Sequence, residues 1–189
     1  ATLFGTEAAG GYEYAGQSYV GRNAHVEAYD TCTECHGAHS LQVKVEECGV
    51  CHAGVETKED LHSIRMDATD YDGDGADEGI YGEIDTMREA LIAAMQAYAN
   101  AQGLDAIVYD SHAYPYFFID LNADGVPTPD EANYGNRYVT WTPKLLRAAY
   151  NYQYATKDPG GFAHNPKYVI QLLYDALASF NAADGLTRP

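Results

Sequence analysis

Cys32-Thr33-Glu34-Cys35-His36 and, sixteen residues further on, Cys48-Gly49-Val50-Cys51-His52 are two copies of one pattern, C-x-x-C-H. This is the sequence at which haem c is attached. The two cysteines capture the vinyl groups as thioethers, and the histidine that follows is placed to coordinate the iron from the proximal side. All four cysteines of the chain are used, two per motif, with none left over. Attachment at Cys32, Cys35, Cys48 and Cys51, with His36 and His52 as proximal ligands, predicts two haems and a chain organised around electron transfer.

C-x-x-C is also zinc and disulfide chemistry. Cys35 and Cys48 enclose twelve residues, a little short of the usual spacing between zinc knuckles. A zinc site would need the four thiolates alone and would be indifferent to the residue after each pair, yet histidine follows both. A thiol-redox C-x-x-C would call for a βαβ context, and none is visible around either motif. Haem is the preferred reading, ahead of zinc and then of structural disulfides.

Composition sets further bounds. The chain has 189 residues and a formal net charge of −17, so nucleic acid and anionic membrane surfaces are poor partners and basic, cationic or metallic ones fit better. A hydrophobic content of 46% is that of a globular chain. No apolar run reaches the about 18 residues of a membrane span. Ala1 reads as the first residue of a processed chain. Since haem attachment of this type is completed outside the cytoplasm, a periplasmic or extracellular location is expected. The seventeen tyrosines are read as amphipathic packing and hydrogen-bonding groups.

The predicted fold class is mainly α with large irregular content, in two unequal parts. Residues 1–66 hold every cysteine and five of the seven histidines, and they are rich in glycine and small polar residues. Such a segment cannot bury a sizeable core without the porphyrins, and without them it should be largely unfolded. Residues 67–189 change character. Ile84, Met87, Leu91, Met95 and Tyr98 recur at helical spacing and predict a helix over Glu83–Asn100, stopped by Gly103. Thr142-Pro143 opens a second helix, and Asn165-Pro166 a third that carries Val169, Leu172, Leu173, Ala176, Leu177 and Phe180. Between the first two lies an aromatic, partly extended stretch, Ile107 to Ile119, with one short strand or none.

The sixth position of each iron is open to several residues. His25, seven residues before Cys32 on a glycine-rich loop, and His39 are assigned as distal ligands, with His62 as first reserve. His39 is too close to His36 to arch over the same porphyrin, but in a C-x-x-C-H-x-x-H arrangement it can reach a neighbouring haem. His62 otherwise reads as a solvated surface residue. His112 and His164, each in an aromatic context, are either structural or ligands to a haem of this or an adjoining subunit. Met66, Met87 and Met95 stand behind the histidines.

Two acidic loops complete the inventory. Asp120-Leu121-Asn122-Ala123-Asp124-Gly125-Val126-Pro127-Thr128-Pro129-Asp130-Glu131 matches the twelve-residue calcium loop. Asp120, Asn122 and Asp124 supply side-chain oxygens, Val126 a carbonyl, Gly125 the turn, and Glu131 a bidentate carboxylate. Asp70-Tyr71-Asp72-Gly73-Asp74-Gly75 starts the same way, with the Ala76 carbonyl next, but its twelfth residue is Tyr81. Glu83 could close this loop across a two-residue insertion. The alternative for both is an acidic turn that uses Asp and Gly for backbone reasons. One or two structural calcium ions are expected; they would offset part of the negative charge.

Three stretches carry a family resemblance: His25-Val26-Glu27-Ala28-Tyr29-Asp30 before the first motif, His36-Gly37-Ala38-His39-Ser40-Leu41, and Lys157-Asp158-Pro159-Gly160-Gly161-Phe162-Ala163-His164-Asn165 before the last helix. With these and the first Asp-rich loop, the chain resembles the multihaem c-type cytochromes of metal- and sulfur-reducing bacteria. The resemblance implies bis-histidine, low-potential haems that relay electrons outside the cytoplasm, exchanging them with redox proteins or extracellular acceptors. It also raises self-association into filaments in which subunits stack their haems. Two haems in 189 residues is sparse for that group. Two other functions stay open: a haem enzyme, peroxidase or reductase, with one five-coordinate iron, and a zinc- and calcium-stabilised interaction module with no redox role.

Overall fold

The computed structural model describes residues 1–65 and 67–189. Two one-turn helices, α1 (Cys32–Cys35) and α2 (Val45–Gly49), carry the cysteine motifs. The long helix α3 (Ile80–Ala101) follows, then strands β1 (Ile107–Tyr109) and β2 (Phe117–Ile119), helix α4 (Pro143–Lys157), the short turn α5 (Gly161–His164) and helix α6 (Pro166–Ser179). The chain is thus mainly helical and irregular, with a small two-stranded sheet.

The three long helices form where the apolar periodicity places them. On α3, Ile80, Ile84, Met87, Leu91, Met95 and Ala99 form one buried stripe at spacings of three and four. The stripe packs on Leu145, Ala148 and Ala149 of α4 and on Val169, Ile170, Leu173 and Leu177 of α6. Each fully buried Leu or Met contributes about 1.5–3 kcal/mol. Thr142 caps α4, its hydroxyl accepting the Leu145 amide at 3.2 Å, and Asn165 caps α6 by accepting the Tyr168 amide at 3.2 Å. In both helices proline takes the first position, where no amide hydrogen is needed.

Helix α6 is buried almost all round, because residues 10–21 run along its outer side as a strap. The Tyr12 amide donates to Asn151 Oδ1 (2.7 Å), and Asn151 Nδ2 returns a bond to the Tyr12 carbonyl (3.0 Å). Gln171 accepts the Val20 amide, and Asp175 accepts the Tyr19 hydroxyl (2.6 Å) together with a two-pronged contact from Arg188. Asn151, Gln171 and Asp175 are all buried, and the strap completes their hydrogen bonding alongside Leu172, Pro189 and Arg188. At Gly11 there is no room for a side chain: a Cβ would sit 2.2 Å from Leu172 Cδ1.

The aromatic stretch differs from its expectation. It folds as an antiparallel hairpin with Ile107 opposite Ile119, Val108 opposite Phe118 and Tyr109 opposite Phe117. The connection Asp110–Tyr116 has no two-residue glycine turn and contains Pro115, so the usual hairpin signal is absent. The hairpin forms instead because Val108, Phe117 and Phe118 are buried.

Residues 24–65 are packed differently from the rest. Val55 is the only buried residue among them. This segment meets the helices at His62, whose ring stacks on Tyr81 of α3 at 3.7 Å and meets Phe162 of α5 edge-on. Just before the segment, the Asn23 side-chain nitrogen donates to the His164 carbonyl at 3.0 Å.

Candidate functional site

Each cysteine motif is wound into the same turn. The His36 amide donates to the Cys32 carbonyl at 2.8 Å, and the His52 amide to the Cys48 carbonyl at 3.0 Å. The first turn is capped by Glu34, whose carboxylate accepts the amides of Asp30 (2.8 Å) and Thr31 (2.7 Å). The Thr31 amide and its neighbour hold that carboxyl below the ordinary range. No disulfide joins any two of the four cysteines. Burial pushes the thiols of Cys35 and Cys48 up. Among the described residues no cluster of three or more metal-binding side chains includes a cysteine, so the thiols do not converge as a zinc knuckle requires.

The histidines pair across the fold. The rings of His36 and His164 lie 6.2 Å apart between centroids, and those of His25 and His52 lie 6.0 Å apart. Two imidazoles that each place a nitrogen about 2 Å from one shared metal ion bring their centroids to about 6 Å. Both separations fit axial ligation of an iron, and each pair contains one motif histidine. His36 Nδ1 lies 3.0 Å from the Leu41 carbonyl. A carbonyl only accepts, so Nδ1 carries the proton and Nε2 keeps its lone pair for a metal.

The remaining candidates are placed as follows. The structure brings His164, not His39, to His36. His39 sits exposed in the tight turn Gly37–Gln42, three residues from His36, and joins neither pair. His62 is exposed, with its ring also in aromatic contact with Tyr81 and Phe162. His112 is 93% exposed beside the Asp110 carboxylate. Met87 and Met95 are fully buried in the helical core, away from solvent and both motifs, and Met66 lies outside the described residues.

The two Asp-rich loops share one hydrogen-bonded frame. Asp70 accepts the Gly75 amide (2.9 Å) as Asp120 accepts that of Gly125 (2.7 Å). Asp72 and Asn122 each accept the amide two residues on, and Asp74 and Asp124 accept those of Ala76 and Val126. Each loop is closed by a glutamate that accepts the amide of its second residue, Tyr71 to Glu83 at 2.7 Å and Leu121 to Glu131 at 2.8 Å. In both, a carboxylate oxygen is left buried with no partner among the described residues: Asp72 Oδ2 and Asp120 Oδ1, on residues 7% and 6% exposed. Ligand oxygens of Asp70, Asp72 and Glu83 lie within 4.8 Å of one another, as do those of Asp72, Asp74 and Glu78. Glu78, whose Oε1 also has no partner among the described residues, is the ninth residue counted from Asp70, a ligand position of the twelve-residue template. Burial pushes the carboxyls of Asp72 and Glu78 up, and neighbouring carboxylates add to it. Arg65 bonds Glu83 Oε1 at 2.9 Å and also donates to the Glu78 carbonyl. The second loop, the better match to the template, converges less: among the described residues it forms no such three-carboxylate group.

Two C-x-x-C-H turns, each bringing its histidine within about 6 Å of a second imidazole, fit a c-type cytochrome, and the chain is similar to the multihaem c-type cytochromes of metal-reducing bacteria. It is 30% identical over 203 residues to the C-type polyheme cytochrome OmcB of Geobacter sulfurreducens, an alignment covering 88% of this chain and 24% of that protein. To the C-type polyheme cytochrome OmcC of the same organism it is 27% identical over 211 residues, covering 93% of this chain and 24% of the relative. The chain therefore spans about a quarter of the length of the curated relatives it matches. No protein-family model and no solved structure matches it.

Proposed function

We propose that this chain is a two-haem electron carrier working outside the cytoplasm, not an enzyme. Cys32 and Cys35 hold one haem between His36 and His164; Cys48 and Cys51 hold the other between His52 and His25. The observation that carries this reading is the pair of ring separations, 6.2 and 6.0 Å, each joining a motif histidine to a second imidazole. Haem c bound between two histidines supplies one-electron exchange with no open position for a substrate. The residues do the rest: thioethers fix the porphyrins, and Leu41 sets the tautomer of His36. The covering of both haem faces keeps small ligands off the iron. An enzyme with an open iron would need one motif histidine facing no second imidazole.

In this reading residues 1–66 carry haem attachment and residues 67–189 are the scaffold that delivers His164, with the strap binding the start of the chain to that scaffold. Each Asp-rich loop holds one calcium ion. Asp70, Asp72, Asp74, Glu78 and Glu83 with the Ala76 carbonyl serve the first, and Asp120, Asn122, Asp124 and Glu131 with the Val126 carbonyl the second. The unpartnered buried oxygens of Asp72 and Asp120 support this, since a buried carboxylate without a cation is costly. Redox partners with basic surfaces suit the −17 charge. No helix of the described residues is long and apolar enough to cross a membrane. Self-association into a haem-stacked filament is the farthest extension of the proposal, and sedimentation of the native protein with calcium tests it.

The deciding experiment is the visible spectrum of the haem-loaded protein, oxidised and reduced, quantified against protein mass. Two haems per chain with sharp low-spin bands support the proposal. A high-spin band points to an open iron, and protein with no haem absorbance despite intact attachment machinery overturns it.

A further inference from the structure

Of the four paired imidazoles, His164 alone has a carboxylate within 4.0 Å among the described residues. Asp158 Oδ1 stands 3.4 Å from His164 Nδ1, a charge contact slightly longer than a full hydrogen bond. His36, its partner, meets only the neutral carbonyl of Leu41. The Asp158–His164 contact is built from several sides. Asp158 ends α4, and its Oδ1 also accepts the Gly160 amide at 3.1 Å. The His164 amide donates to the Gly160 carbonyl at 2.8 Å, and its carbonyl is held by Asn23. Gly160 is packed against the imidazole so closely that a Cβ there would lie 2.8 Å from Cε1.

We infer that Asp158 is a positioning residue that sets the potential of the haem on Cys32 and Cys35 below that of the haem on Cys48 and Cys51. The inference rests on His164 being an axial ligand. A carboxylate against the outer nitrogen of a ligating histidine fixes Nδ1 as the protonated nitrogen and makes Nε2 a stronger donor. Ferric iron carries one more positive charge than ferrous iron, so a fixed negative charge at this place favours the oxidised state. The molecule reduced by one electron then holds that electron on the haem nearer α2. The two-haem unit acquires a direction from a single carboxylate.

The test is a spectroelectrochemical titration of the full chain with both haems attached, combined with electron paramagnetic resonance. In Asp158→Asn the lower of the two potentials is expected to rise toward the upper one, while both haems stay low-spin. Glu89→Gln, which removes an exposed charge from α3, should leave both potentials in place. Unchanged potentials in Asp158→Asn, movement of the upper one alone, or conversion of a haem to high-spin would each overturn the inference; the last would make Asp158 a structural support. The underlying ligation is tested separately by His164→Ala: if both haems remain low-spin in that variant, the axial role of His164 falls and the tuning role with it.

Discussion

His36 and His164 face each other at 6.2 Å although they come from opposite ends of the chain, one from the turn after α1 and the other from the last residue of α5. A metal held between them would fasten the cysteine-bearing segment to the helical scaffold. His164→Ala should therefore turn one haem high-spin and open it to carbon monoxide, leaving the other low-spin. His25→Ala should do the same to the second haem. His39→Ala should leave the spectrum unchanged, and a high-spin signal from it would reverse the pairing.

Glu83 closes the first Asp-rich loop from two residues beyond the template position, and Glu78 adds a carboxylate that the second loop lacks. Asp72→Asn is expected to remove one calcium ion per chain, measured by metal analysis after gel filtration, and Asp120→Asn the other. Calcium at a hundred times its dissociation constant should stabilise the native chain by about 2.7 kcal/mol per site. A melting temperature indifferent to both calcium and chelator would contradict the assignment.

The pH dependence of that stabilisation follows from the direction of the shifts. Burial raises the carboxyls of Asp72 and Glu78. A group whose folded pKa is raised binds its proton more tightly in the native state, so its contribution to stability is present at low pH and lost as pH rises through the folded pKa. Without calcium, the first loop should weaken as pH rises through and above the ordinary carboxylate region of about 4. Calcium requires the ionised carboxylates and reverses that loss. The gap between melting temperatures with and without calcium should widen from about pH 4 to about pH 6. A gap constant over this range would show that these carboxyls are not at the site.

Elements governed by local spacing could be read from the sequence, and those governed by distant contacts could not. The three long helices announce themselves through apolar periodicity and through Thr142-Pro143 and Asn165-Pro166, because capping and amphipathic burial act within one or two turns. The cysteine motifs are legible for the same reason. His164 is different. Nothing within its own segment says that α5 will carry the ring to His36, and His39, the nearer candidate in sequence, is held off by the tight turn it occupies. The strap along α6 is illegible likewise, because it acts on residues far along the chain; Glu78 was legible, since it stands ninth from Asp70, a ligand position of the calcium-loop template.

Asn151 offers a test of the strap. It is fully buried, and its amide group satisfies both the amide and the carbonyl of Tyr12. Asn151→Ala leaves those groups without partners, at a cost of about 1–3 kcal/mol for each that stays buried. The cheaper response is for residues 10–14 to lift into water. Limited proteolysis should then cut the variant near Tyr12 or Tyr14 while the α3–α4–α6 core stays intact, and denaturant unfolding should show the lowered stability.

The sparse packing of residues 24–65 leads to the last expectation. Their only buried residue is Val55, whereas α3, α4 and α6 bury a continuous core. A segment with so little apolar burial cannot offset the about 1–2 kcal/mol of backbone entropy lost per ordered residue. The helical core can, since its helices meet along three faces and its caps need no cofactor. Replacing all four cysteines by alanine should therefore give a chain whose amides exchange rapidly across residues 24–65 while those of α3, α4 and α6 remain protected. Loading the native chain with haem should slow exchange around His25, His36 and His52, and also at α5, because His164 lies there. Protection confined to the cysteine segment, with α5 unchanged, would mean that no haem bridges the two parts of the chain.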